Sequence, residues 1–419
     1  MTNLFDYHIK DSRELTNVIK EPIVDVVITS PPYWNLKDYG TDNQIGFGQK
    51  YESYLEDLTI ILDNCKKILK NKGSMWIIVD SFKQGGNIRM LPFEIADRLQ
   101  KRGWHLQDII IWQKDKTLPW SSKGKLRNIF EYVLFFTKSN EFNFYVDELR
   151  ETELKKWWPK YPERYNPKGK VPSRVWYLPI PVQGWGNSWV KHFCPFPPKL
   201  IENILLLTTK KESVVLDPFA GSGSVLAQSN VMGRKSIGFD LNQDYKKMYY
   251  ENVLPFFDTM WKERSKELEK KSENRKYLEK TIISLRKIKY PITLCKELIK
   301  KNNEFRNNIK SVIAYEKGNL RYYFVLENND ELIKEQILIL TKEKKMKKFG
   351  LETQINFLIS KKIDLNKFPK NMYLYKNGVH NVLDSEINLS EINMDKLKEN
   401  DKLVPVISNI KVNQKNHLI

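Results

Sequence analysis

The chain has 419 residues, is 41% hydrophobic and 12% aromatic, and carries a formal net charge of +19. That is enough material for one large α/β core and one further unit, and the excess of Lys and Arg points to a polyanionic partner, nucleic acid foremost, with a Lys-rich background composition as the competing explanation. No apolar run approaches a membrane span, no charged-then-apolar leader opens the sequence, and Cys65, Cys194 and Cys295 have no metal-ligand spacing, so a membrane protein, a disulfide framework and a zinc site are excluded and a reducing, cytoplasmic setting is expected.

Tyr7 to Ser12 reads as a short strand ending in an acid, Asp11, which equally suits a helix N-cap before Glu14 and Leu15. Val26-Val27-Ile28-Thr29 is a buried strand, and Ser30-Pro31-Pro32-Tyr33-Trp34 follows it directly. Two prolines stiffen the chain where it leaves the sheet. They hold the Ser30 hydroxyl, the Pro31 carbonyl and the Tyr33 ring at the carboxyl end of a strand, where α/β sheets bind ligands. A glycine-punctuated loop rich in aromatics runs on to Gly48.

Tyr51 to Leu69 has one apolar face at helical period, and Ser74 to Asp80 is a second buried strand. Met90 to Leu99 is a helix, Ile109 to Trp112 a third strand and Ile129 to Thr137 a fourth. Strand and helix alternate at βαβ spacing, which predicts a largely parallel sheet covered on both faces.

Residues 140–190 break this rhythm. Tryptophans, tyrosines and prolines are interleaved with Lys160, Arg164, Lys168, Lys170 and Arg174, and Trp176 stands among them. Such a segment suits phosphate contact and base stacking; the alternative is a loop whose tryptophans pack on the sheet. His192-Phe193-Cys194-Pro195-Phe196-Pro197-Pro198 opens a helix running to about Leu207.

Ser213 to Asp217 is another buried strand, and Pro218-Phe219-Ala220-Gly221-Ser222-Gly223 turns it into a helix. Glycines there let the backbone approach a ligand closely. No Lys-Ser/Thr pair follows, so this is not a phosphate loop. The next strand ends in Asp240, placed as an acid that bonds ribose hydroxyls. Trp261 to Ile288 is a Lys- and Glu-rich helical run, and a small α+β unit is expected over 290–419, with a strongly basic stretch at Lys342 to Lys348.

Ser30-Pro31-Pro32-Tyr33 and Asp217-Pro218-Phe219-Ala220-Gly221-Ser222-Gly223 together resemble the two signature motifs of the beta-class DNA amino-methyltransferases, in which the catalytic motif precedes the cofactor loop. Two positions depart from the family pattern: Lys10 replaces a glycine before Asp11, and Cys194-Pro195 replaces a Pro-Ala pair before Phe196. The resemblance covers residues 1–255 and implies an α/β, Rossmann-like methyltransferase sheet of permuted order with seven strands. It places target recognition in 140–190, leaving 256–289 as a helical connector and 290–419 as a C-terminal α+β domain of unassigned role.

The resemblance implies S-adenosyl-L-methionine as cofactor, held by Asp11, Asp217, Pro218, Phe219, Gly221, Ser222, Gly223, Asp240 and Phe196, with Ser30, Pro31, Pro32 and Tyr33 catalytic and no metal. Lys160, Arg164, Lys168, Lys170, Arg174 and Trp176 would then touch double-stranded DNA. A cognate restriction endonuclease is the implied partner, and a homodimer is kept as an assembly to test. Serine in the first motif position leans to cytosine N4; adenine N6 is the alternative. An inert DNA-binding specificity subunit is the alternative of another class, disfavoured by two intact motifs. Cytosine C5 chemistry is excluded because no Pro-Cys nucleophile is present, and an added nuclease lacks its acidic constellation.

Overall fold

The computed structural model describes residues 4–36, 38, 40, 43–115, 126–153, 161–180, 196–317, 319–359, 361 and 373–376. They form two compact units: residues 1–150 with 171–271, and residues 151–170 with 272–419.

The first unit is built on one sheet of eight strands: β1 (Tyr7–Ile9), β2 (Val24–Thr29), β3 (Leu69–Val79), β4 (His105–Gln113), β5 (Phe130–Thr137), β6 (Val175–Tyr177), β7 (Val214–Asp217) and β8 (Lys235–Asp240). Their order is β1-β8-β7-β2-β3-β5-β4-β6. The late strand β7 lies against the early strand β2, with Val26 opposite Val215 and Val27 opposite Leu216, which is the permuted order expected.

Two features differ from expectation. There is one strand more than the seven expected, because three residues of the irregular segment, Val175–Tyr177, add to the edge of β4. The sheet is also mixed: β5 runs antiparallel to both β3 and β4. Strand β5 pairs with β4 from His105 opposite Thr137 to Gln113 opposite Phe130, the ladder of an antiparallel neighbour.

The central strands are buried on both faces, which is why they read as unbroken apolar runs. Val26 and Ile28 of β2 meet one set of partners and Val27 the other. On one face lie α1 (Tyr51–Ile68) and α2 (Leu91–Lys101), contributing Tyr54, Leu58, Ile95 and Leu99. On the other lie α3 (Pro198–Thr208) and α4 (Ser224–Val231), contributing Leu200, Ile204, Val225 and Leu226. Helix α1 passes into β3 without a separate turn, and Asn71-Lys72-Gly73 lies within the strand.

The connector expected at 256–289 is part of a 48-residue helix, α5 (Leu254–Lys301). Its first turns are tied to α3 by a buried carboxylate. Glu202 accepts from Arg264 Nε at 2.8 Å and Nη2 at 2.9 Å, and pairs with Lys199.

The second unit has a four-stranded sheet of β9 (Ile309–Lys317), β10 (Asn319–Leu326), β11 (Thr353–Ile359) and β12 (Tyr373–Lys376), in the order β11-β10-β9-β12. Helix α6 (Glu331–Lys342) covers it through Ile333, Ile337 and Leu340. Asp330 caps that helix by accepting from the Leu332 and Ile333 N–H groups. Among the described residues no helix is long and apolar enough to cross a membrane.

Removing one partner of a buried ion pair strands the other charge. Arg264→Ala is therefore expected to destabilise the protein by about 3 kcal/mol in urea unfolding, whereas Lys262→Ala, an exposed neighbour on the same helix, should change stability by less than about 0.5 kcal/mol.

Candidate active site

Strands β2, β3, β7 and β8 run in the same direction, so their carboxyl ends share one edge of the sheet. The chain leaves β2 toward β3 on one side and finds β7 on the other. A crevice opens at such a switch point. Here it is a pocket lined by Ser30, Pro31, Pro32 and Tyr33 from the end of β2, by Pro218, Phe219, Gly221 and Ser222 after β7, and by Asp11, Phe196, Asp217 and Asp240. Twelve residues singled out from sequence thus surround one cavity.

The Ser30-Pro31-Pro32-Tyr33 turn is held from outside. Tyr54 of α1 donates its hydroxyl to the Pro32 carbonyl at 2.8 Å. The Asp80 N–H donates to the Tyr33 hydroxyl at 2.8 Å, and the Tyr33 ring meets Phe82 edge-on. Gly46, at φ +100°, approaches so closely that an added Cβ would lie 3.3 Å from the Tyr33 carbonyl oxygen. The Ser30 hydroxyl makes no hydrogen bond within the described residues and lines the pocket.

The glycine loop is held just as tightly. Ser12 donates to the Pro218 carbonyl and Tyr7 to the Gly221 carbonyl, so β1 and the turn after it brace the loop. Gly223 is not among the lining residues. It caps α4 at φ +81°, and a Cβ there would collide with the Tyr249 ring, so the turn requires glycine.

Three acids face the site in different states. Asp217 is fully buried, and burial pushes its carboxyl up to about 7 despite hydrogen bonds from the Thr29 hydroxyl at 2.7 Å and the Phe219 N–H at 3.0 Å. Both bonds fall on one oxygen, Oδ1. Asp240 is also raised by burial, offset by the backbone N–H groups of Asn242 and Gly221, each 2.9 Å away. Asp11 goes the other way: burial alone would raise it, but Arg13 holds it low through side-chain and backbone bonds. Asp11 is thus both the cap of the helical turn Ser12–Glu14 and a wall of the pocket.

Sequence reasoning assigned no role to Tyr7, Ser12, Thr29, Tyr54 or Asp80. Asp80 stands at the end of β3, beside the catalytic strand, and repeats the strand-then-acid signal of Asp217 and Asp240. Burial raises its carboxyl to about 6, Asn128 bonds Oδ2, and Oδ1 is buried with no partner.

The expected DNA contacts do not gather at this pocket. Trp176 is only 8% exposed and stacks on Trp76 at 6.4 Å, so it is a core residue unavailable for base stacking. Arg174 pairs with Asp108 and Lys170 with Glu151. Arg164 and Lys168 are exposed, and Lys160 lies outside the described residues, as does the run His192 to Pro195.

Residues 24–251, more than half the chain, match the family model described as DNA methylase. The chain belongs to the DNA methylase family. It is a DNA amino-methyltransferase of the N4/N6 type, and its cofactor is S-adenosyl-L-methionine. Residues 198–336 also match the model of the D12 class N6 adenine-specific DNA methyltransferases. Among curated relatives, the type II methyltransferase M.SmaI of Serratia marcescens is 27% identical over 273 residues, covering 58% of this chain and 89% of that protein. M.MwoI of Methanothermobacter wolfeii, also a type II methyltransferase, is 33% identical over 229 residues, covering 54% of this chain and 30% of its own. The solved PvuII DNA methyltransferase (cytosine-N4-specific) aligns with a TM-score of 0.48 and 19% identity over 61% of this chain and 92% of that one.

The pocket suits the cofactor on its own chemistry. A buried carboxylate held near neutrality fits a cationic ligand, and the glycine loop offers close backbone approach. Binding of a cation requires Asp217 ionised. Affinity for S-adenosylmethionine, measured by calorimetry, is therefore expected to rise as pH climbs through about 7 and to fall toward tenfold per unit below it. For the ligand-free fold the sign is opposite. Asp217 binds a proton up to about pH 7 when folded but only up to about 4 when unfolded. Its contribution to stability is thus lost as pH rises across that window. Asp217→Asn is expected to raise the melting temperature at pH 8 and to remove the pH dependence of cofactor binding along with most of the affinity.

Proposed function

We propose that this chain methylates the exocyclic N4 of cytosine at a specific site in duplex DNA, as the modification partner of a cognate restriction endonuclease. The observation that carries this reading is the position of Ser30-Pro31-Pro32-Tyr33: it ends the strand beside Asp217 and faces the same pocket. Serine in the first motif position supports cytosine N4, by the resemblance set out from the sequence. The type II names of the relatives support site specificity and a restriction partner.

An amine conjugated to a base ring is a poor nucleophile. Acceptors aimed at its two N–H bonds favour a pyramidal nitrogen whose lone pair points at the electrophile. Ser30 Oγ and the Pro31 carbonyl are the acceptors we assign. The target amine lies inside a duplex, so the base is flipped out, and the Tyr33 ring stacks on it. Cofactor binding falls to Asp217 and the Pro218 to Ser222 backbone at the methionine end, with Asp240 at the ribose and Phe196 and Phe219 as apolar walls. When bound, the cofactor supplies an electrophilic methyl on a sulfonium. An amine nitrogen that gains a methyl must lose a proton, and Asp80, raised to about 6 with one buried oxygen unbonded, is the acceptor we assign.

Adenine N6 is the second reading, favoured by the match of residues 198–336 to the N6 adenine-specific D12 class. Nucleoside mass spectrometry of DNA from a methylation-deficient host separates the two. N4-methylcytosine is expected from the wild type and not from a Ser30→Ala, Tyr33→Ala variant. N6-methyladenine instead would overturn the cytosine assignment, and no modified base from the wild type would overturn both. Asp80→Asn is expected to lower kcat at least tenfold with cofactor affinity unchanged, and to abolish the fall in kcat seen below about pH 6, a limb on which the ionised carboxylate is lost.

A further inference from the structure

The charge of the chain is divided unequally. Residues 151–170 and 272–419 hold 35 Lys and Arg against 21 Asp and Glu, a net +14 of the chain's +19; the first unit holds 35 against 30. Composition alone could spread such charge anywhere, but five lysines of the second unit fall within seven residues, 342–348.

Lys342, Lys344, Lys345, Lys347 and Lys348 are all exposed, on the end of α6 and the single helical turn Lys344–Lys347 that follows. Between them Met346 and Phe349 are sunk into the core of the unit, each 2% exposed, so the lysines stand on an anchored backbone. Lys345 is paired with Glu297. Lys344, Lys347 and Lys348 have no carboxylate partner among the described residues.

A second basic segment is fastened to the first. Arg286 of α5 is buried, and its guanidinium donates to three backbone carbonyls: Pro162 at 3.2 Å, Tyr165 at 2.6 Å and Phe349 at 3.0 Å. The five donors of a guanidinium lie in a rigid fork, so three carbonyls on one Arg fix the segments that carry them. One segment is 161–170, with exposed Arg164 and Lys168. The other is the lysine turn that ends at Phe349. Arg164 rests over the Tyr161 ring at 4.4 Å, which keeps its own cation ordered.

We propose that Lys344, Lys347 and Lys348, with Arg164 and Lys168, form a surface that binds the phosphate backbone of duplex DNA, and that Arg286 is the positioning residue joining its two halves. The proposal rests on the chain acting on DNA. It divides the segment expected to recognise DNA: residues 161–170 serve with the C-terminal unit, whereas Trp176 serves the core of the catalytic sheet. Contacts of this kind give affinity and register without reading sequence, and each one released adds about 0.9 to the slope of log affinity against log salt.

The test is fluorescence anisotropy with a 30-base-pair mixed-sequence duplex across a salt series. K344E/K347E/K348E is expected to bind about tenfold or more weakly, with the salt slope smaller by about 2–3. R164E/K168E is expected to reduce the slope by about 1–2. K262E/K266E/K270E, an equal change of charge on exposed positions of the first unit, is expected to shift affinity less than about threefold. Melting temperature and S-adenosylmethionine affinity should be unchanged in all three; if the glutamates disturb folding, K344Q/K347Q/K348Q carries the same slope prediction. An unaltered slope in the lysine variant, or an equal loss in the first-unit control, would overturn the proposal. A wild type that binds the cofactor but no duplex would instead sink the DNA substrate itself.

Discussion

The bond between the Thr29 hydroxyl and the Asp217 carboxyl joins the two strand ends that line the pocket. Thr29 ends the strand that carries Ser30-Pro31-Pro32-Tyr33, and Asp217 ends the strand that carries the glycine loop. The two strands are 188 residues apart in sequence and adjacent in the sheet. Both residues are buried, so breaking the bond would leave a polar group unsatisfied away from water, at a cost of about 1–3 kcal/mol. Everything else at the site is braced from this seam. Tyr54 and the Asp80 N–H hold the proline turn on one side, and Tyr7 and Ser12 hold the glycine loop on the other.

The edge of the sheet is an acidic edge. Four adjacent parallel strands deliver Ser30, Asp80, Asp217 and Asp240 to it, and burial raises all three carboxyls there. Such a site costs stability in the absence of a ligand and repays it on binding a cation, which is the relation between a cofactor pocket and its fold described by linkage. The three acids are nevertheless not equivalent. Asp240 has both oxygens committed to backbone N–H groups, Asp217 has two bonds on one oxygen, and Asp80 has one oxygen buried and unpartnered. The three thus differ both in burial, which is complete only for Asp217, and in hydrogen bonding.

The second unit shows a different use of charge. Lys344, Lys347 and Lys348 are exposed, and the buried Arg286 guanidinium is spent on backbone carbonyls. Exposed lysines contribute little to stability, so their concentration on one anchored turn has no structural benefit of its own. The first unit, nearly neutral, keeps its charged groups largely in pairs such as Glu202 with Arg264 and Arg98 with Glu56.

The sequence by itself determined the strands and turns that line the pocket. Apolar runs ending in Ser-Pro-Pro-Tyr and in Asp-Pro-Phe-Ala-Gly-Ser-Gly are local signals: a strand buried on both faces must be apolar throughout, and only glycine and proline make the turns that follow. Helices α1 to α3 were legible for the same reason, since each carries its apolar face within its own residues, whereas α4, buried on all sides, was legible from the glycine turn that opens it. What was not legible were relations between distant segments. The sense of β5, the eighth strand at Val175–Tyr177, the braces from Tyr7 and Ser12, and the burial of Trp176 all depend on which neighbour a segment meets, and a tryptophan flanked by basic residues looks alike whether it stacks on a base or on Trp76. Asp80 carried the same strand-then-acid signal as Asp240, but only the unpartnered oxygen beside Tyr33 distinguishes it from a solvated strand end. The joining of residues 161–170 to the C-terminal unit was likewise decided by tertiary structure, because it rests on three backbone carbonyls, groups that every residue carries and that no sequence pattern can mark.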